Sequence, residues 1–87
     1  MTGKAKAAVE VDARGLACPE PVLRLRAALR AVAPGTHVRM LASDPLAAVD
    51  VKAYCLRSGH ALVSERAAGG EWEFVVAKKG TEVIKAP

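Results

Sequence analysis

Residues 8–33 read AVEVDARGLACPEPVLRLRAALRAVA, and along them the apolar spacing changes from every second residue to every third or fourth. Val9 and Val11 alternate with Glu10 and Asp12, so residues 8–12 are predicted to form a short strand with one apolar face. Arg14-Gly15-Leu16-Ala17 is a turn. From residue 22 to residue 33 the pattern is helical: Val22, Leu25, Leu29 and Val32 share a face, while Arg24 and Arg30 lie off it. Pro34-Gly35 stops that helix, because proline cannot continue it and glycine accepts the backbone of a helix end.

The rest of the chain extends the same alternation of elements. Residues 36–42 read as a second strand, with Val38, Met40 and Ala42 on one side and Leu41 on the other. Ser43-Asp44-Pro45 is a helix start: a carboxylate can accept from free amides of the first turn, and proline fits there. The second helix is expected over residues 46–57 and closes at Ser58-Gly59. Two more strands are expected over 61–66 and 72–77, joined by a hairpin loop at 67–71. Residues 1–7 are expected to be disordered, and 78–87 a mixed tail with weak strand character at 82–84. Strand, helix, strand, helix, strand, strand predicts an α/β fold of βαββαβ type. It is a two-layer sandwich in which both helices cover one face of a four-stranded mixed sheet. No internal repeat and no linker divides the 87 residues, so one domain is expected over 1–87.

Composition bounds what such a domain can do. Hydrophobic residues make up 52% and charged residues 25%, enough for a folded core of Val, Leu and Ala. A surface that stacks bases wants several aromatics, and one Trp, one Tyr and one Phe give it little to work with. A net charge of +4 suits an acidic partner surface or an RNA backbone, but it is also ordinary for soluble proteins, and a solvated face is the favoured reading. No segment has the apolar length of a signal peptide or a membrane span. Two cysteines make no disulfide framework, so the reducing cytoplasm is the expected compartment.

There a free thiol can persist, and Cys18 stands directly before a helix that opens with Pro19 and Pro21. A helix N-terminus favours anions, which predicts a thiolate of lowered pKa and a stabilised anionic persulfide. The two prolines delete two amides, leaving mainly those of Glu20 and Val22 to approach the sulfur. Glu20 opposes them with a negative charge nearby. Residue types alone leave two readings open, a working thiol and a small apolar residue packed at a helix entrance.

The run from Asp12 to Pro21 resembles the signature of the TusA (SirA-like) sulfur-carrier family, built on a Cys-Pro-x-Pro motif, here Cys18-Pro19-Glu20-Pro21 with Gly15 before it. Pro34-Gly35, Asp44-Pro45, Asp50-Val51, Cys55 and Gly59-His60 are similar to the family at their positions, so the resemblance covers nearly the whole domain. It implies a persulfide on Cys18, accepted from a cysteine desulfurase or a rhodanese-type enzyme. The sulfur is then relayed to an acceptor protein in tRNA thiolation, cofactor sulfuration or sulfur oxidation. Such a carrier acts stoichiometrically, and no organic cofactor, metal, membrane or direct nucleic-acid contact is expected. One departure is Asp50-Val51-Lys52, where many relatives have Asp-Ile-Pro; a more regular second helix is expected from it.

Other residues have blander roles open to them. Arg14, Arg24, Arg26 and Arg30 cluster around the motif and are candidates for docking an acidic partner, with a solvated helix face as the alternative. Cys55 is expected to be buried and structural; a disulfide with Cys18 would need the two Cα atoms within about 7 Å. His37 and His60 are expected at strand starts, with no close ligand spacing to either cysteine that would suit a metal. The competing function is a non-enzymatic interaction or regulatory module, touching nucleic acid through its arginines.

Overall fold

The computed structural model describes residues 9–80. Along them run β1 (Val9–Ala13), α1 (Glu20–Arg30), β2 (His37–Ala42), α2 (Leu46–Ser58), β3 (Ala61–Ala68) and β4 (Glu71–Ala77). The strands form one sheet in the order β1-β2-β4-β3, with β1 and β2 parallel and the other pairs antiparallel. This is the expected α/β architecture, a four-stranded mixed sheet with two helices. The order along the chain is the expected strand, helix, strand, helix, strand, strand, which is βαβαββ; the label βαββαβ transposes the second helix and the third strand. Ser43-Asp44-Pro45 starts a helix directly after β2, and a hairpin makes β3 and β4 consecutive. The expectations for residues 1–7 and for strand character at 82–84 lie outside the described residues.

The hairpin turns on Gly69 and Gly70, whose φ values of 62° and 79° are those of a two-residue turn matched to strand twist. The five-residue loop expected at 67–71 is therefore only two residues long, and β3 and β4 are each extended toward the turn. Helix α1 begins at Glu20 and ends at Arg30, earlier at both ends than the apolar spacing predicts. Its last turn tightens, with the Ala31 N–H bonding the Ala28 carbonyl at 3.2 Å. Pro34 disfavours helical geometry at Ala33 before it, so the helix unwinds ahead of the proline.

Packing obeys the two periodicities. In register, Val38, Met40 and Ala42 of β2 lie beside Val76, Phe74 and Trp72 of β4. Val38, Met40, Phe74 and Val76 are fully buried, and Leu25 and Leu29 of α1 share their core with Ala47, Val51 and Cys55 of α2. The helical residues recur every fourth position, which puts each set on one stripe. Each fully buried Leu, Val, Met or Phe contributes about 1.5–3 kcal/mol. Cys55 belongs to this core, as expected. Between the core positions of β2 and β4 stand Arg39 and Glu73. Arg39 bridges Glu10 at 3.3 Å and Glu73, and Glu73 reaches Arg66 at 3.7 Å, so charges cross all four strands.

Parallel β1 and β2 end on the same side of the sheet, and the segments leaving them carry Cys18 and Asp44. Crevices outside the carboxyl ends of parallel strands are where open α/β sheets place their sites. Among the described residues no helix is long and apolar enough to cross a membrane.

Candidate functional site

The segment between β1 and α1 is fixed mainly by Ser43 and Asp44, the two residues next after β2. Gly15 adopts φ 82°, a left-handed conformation that reverses the chain, and its N–H donates to Ser43 Oγ at 2.8 Å. The Cys18 N–H donates to Asp44 Oδ2 at 2.8 Å. The other carboxylate oxygen, Oδ1, accepts from the Leu46 N–H at 2.9 Å at the start of α2. Asp44 thus bonds the first amide of one helix while it holds the residue in front of the other. Its carboxyl is lowered in pKa by the Cys18 amide first and the Leu46 amide second.

The Cys18–Pro19 peptide is cis. Pro19 stands at the cap of α1, Glu20 is exposed and pairs with Arg24 at 3.9 Å, and Pro21 lies on the buried face of the helix with Leu25 and Leu29. The Glu20 N–H, expected to approach the sulfur, donates instead to the Ala17 carbonyl at 2.8 Å. The sulfur has a different partner. Cys18 Sγ donates to Asp50 Oδ2 of α2 at 2.6 Å. That hydrogen bond, then burial, then the charges of Asp50 and Asp44 push the thiol pKa up. The thiol is thus raised where the helix N-terminus alone predicts it lowered, because the Asp50 hydrogen bond, burial and two carboxylates all disfavour the thiolate.

Cys18 is half-buried at the side of a groove of about 560 Å³ between α1 and α2. Val22, Leu23 and Arg26 line it from α1; Asp50, Ala53, Tyr54, Arg57 and Ser58 line it from α2. Of the four arginines singled out in the sequence, only Arg26 reaches this groove. Arg14 is held by Asp12 at 2.8 Å and Glu71 at 3.6 Å, Arg24 by Glu20, and Arg30 projects from the last turn of α1. Among the described residues Arg26 and Arg57 pair with no carboxylate, so the groove has two uncommitted cations.

Sequence reasoning misses Asp50 and Arg57 as site residues. Nothing in the sequence shows that their side of α2 faces Cys18. Cys55 and His60 line a separate hollow with Lys52, Leu56 and Leu62. His60 accepts from the Lys79 N–H at 3.0 Å and packs on Tyr54, and burial, then Lys79 and Lys78, lowers its pKa. His37 begins β2, away from the groove lining. Among the described residues no three His, Cys, Asp or Glu side chains converge as a metal site would require.

Comparison with known proteins bears on this arrangement. The family model described as "Sulfurtransferase TusA" matches residues 9–78. Similar relatives carry the name "Sulfur carrier protein TusA". That of Pseudomonas aeruginosa is 38% identical over 69 residues, covering 79% of this chain and 87% of the relative. That of Pseudomonas syringae pv. syringae is 39% identical over 70 residues, covering 80% and 83%. That of Allochromatium vinosum is 35% identical over 69 residues, covering 79% and 91%.

Proposed function

Because this chain belongs to the TusA sulfurtransferase family, we propose that it carries sulfur as a persulfide on Cys18, between a donor protein and an acceptor protein. The observation that carries the reading is the placement of Cys18. Its thiol lies at the end of a loop pinned to Asp44 and opens on a groove of about 560 Å³ between the two helices. Cys55, by contrast, is a buried core residue only 6% exposed, and burial raises its pKa.

Loading exchanges one sulfur–sulfur bond for another. Cys18 Sγ attacks the outer sulfur of the donor's persulfide, the donor's S–S bond breaks, and the donor cysteine leaves with the proton that Cys18 gave up. Unloading is the reverse, with an acceptor thiol attacking the outer sulfur and its proton returning to Cys18. No electrons are gained or lost overall, so the step needs no redox partner. A cysteine desulfurase or a rhodanese-type enzyme fits as donor, and the reducing cytoplasm as the compartment in which the thiol persists. The acceptor's chemistry is a thiol serving tRNA thiolation, cofactor sulfuration or sulfur oxidation.

The test is intact mass after incubation with a cysteine desulfurase and cysteine, and separately with thiosulfate and a rhodanese. A gain of one sulfur, reversed by reductant and absent from Cys18→Ser, is the expected result. Folded wild-type protein that gains sulfur from neither donor would overturn the reading.

A further inference from the structure

The hydrogen bond between Cys18 and Asp50 exists only while the carrier is empty. Cys18 Sγ is the donor and Asp50 Oδ2 the acceptor, at 2.6 Å. In a persulfide, Sγ is bonded to Cβ and to the outer sulfur and has no proton to give. The carboxylate would then face lone pairs at the same separation, with no bond to compensate for burying them together.

The charged groups around the sulfur make this one-sided. From α2 and its leading turn come Asp50 and Asp44, both of which oppose negative charge on Cys18. From α1, Glu20 is engaged with Arg24, and Arg26 lines the groove. From the far end of α2, Arg57 lines the same groove. An added sulfur therefore extends into a groove that Asp50 borders beside the thiol and that Arg26 and Arg57 also line. An S–S bond of about 2.05 Å gives the terminal sulfur room to swing away from the carboxylate oxygen that Sγ faces.

We propose that Asp50 is the residue that distinguishes the empty carrier from the loaded one: it holds the Cys18 proton in place when no sulfur is bound, and turns the bound sulfur outward into the groove for transfer. This rests on the carrier reading and adds to it a division of labour. Asp50 makes the empty thiol quiet, so it is spared stray alkylation and oxidation. It also makes the loaded state ready to give its sulfur up. Arg26 and Arg57 receive the outward-turned anion.

Asp50→Asn tests this, because the amide keeps the shape of the side chain while removing the charge. The first readout needs no sulfur at all. Iodoacetamide modification of the Cys18 peptide is followed by mass against pH, with Cys55 as a buried internal comparison. The midpoint for Asp50→Asn is expected to lie at least about one pH unit below that of the wild type. The second readout uses protein loaded with inorganic polysulfide and measures sulfur release to dithiothreitol. Release from Asp50→Asn is expected to be about tenfold slower.

Coincident midpoints in two equally well-folded proteins would overturn the proposal, since a merely structural Asp50 would move stability and not the midpoint. Equal release rates would overturn its second half. A wild-type protein that takes up no sulfur, with the midpoints still separated, would count against the carrier reading and leave the proton-holding role of Asp50 standing.

Discussion

Asp44 accepts the Cys18 N–H with one carboxylate oxygen and the Leu46 N–H with the other, at 2.8 and 2.9 Å. One side chain therefore sets the start of α2 and the position of the Cys18 loop together. Asp44→Ala is expected to lower the melting temperature by several degrees and to loosen the loop as well. Hydrogen exchange at the Cys18 amide would rise more than at core amides such as Met40. Equal rises at both would mean that Asp44 acts only through global stability.

Acid should undo the same contacts. Asp12 is lowered from 3.8 to about 2 chiefly by its hydrogen bonds with the Arg14 side chain and backbone, and Asp44 is lowered by its two amides. A carboxyl with a folded pKa below its unfolded value adds stability that is complete above the unfolded pKa and disappears as pH falls through the folded one. Melting temperature is thus expected to fall between about pH 4 and pH 2, more shallowly in Asp12→Asn and Asp44→Asn than in wild type. Parallel curves would show that neither pair is linked to folding.

Two large side chains give opposite forecasts. Phe74 is fully buried between the sheet and the helices, and Phe74→Ala should cost about 3–5 kcal/mol, enough to unfold much of a small domain at ordinary temperature. Leu56 is 86% exposed, and Leu56→Ala should change stability by no more than about 0.5 kcal/mol. Urea denaturation of both would check the pair.

Gly59 closes α2 at φ 87°, with its N–H on the Cys55 carbonyl at 2.9 Å. A side chain there strains the backbone, so Gly59→Ala should destabilise by about 1–2 kcal/mol. A Cβ would also stand 3.3 Å from the Lys79 side chain, which is flexible enough to move. A denaturation midpoint unchanged from wild type would contradict this.

The groove cations should act on encounter rates. Arg26→Glu and Arg57→Glu are each expected to slow sulfur uptake from an acidic-surfaced donor about tenfold at low salt, with the difference shrinking as salt rises. Arg24→Glu, at a position already engaged with Glu20, should change uptake far less. Initial rates at two ionic strengths would decide between these roles.

These contrasts mark what is legible in the sequence. The bounds of β2 and α2 are readable because Val38, Met40 and Ala42 alternate cleanly and Ser43-Asp44-Pro45 opens the helix. The apolar spacing puts the end of α1 three residues too late, since it runs on to Val32 while Pro34 acts backward on the helix. Cys18 is legible from its motif. Its acidic partner is not, because Asp50 lies 32 residues away and joins it only when α2 packs beside α1. The arginines show the same limit: their clustering around the motif says nothing about which of them Asp12, Glu71 and Glu20 take up.

Among the described residues β1 and β3 are the outer strands of the sheet, and each carries features that discourage a neighbour. β1 is five residues long and alternates Glu10 and Asp12 with its valines. β3 is longer, but its ladder skips Val63 between Leu62 and Ser64 and continues through Glu65 and Arg66. A flat run of eight residues would invite a second molecule to add a strand, whereas a bulge and charges interrupt the row of free amides and carbonyls. Molecules of this protein should therefore remain separate at high concentration, and deleting Val63, which would regularise that ladder, should promote self-association.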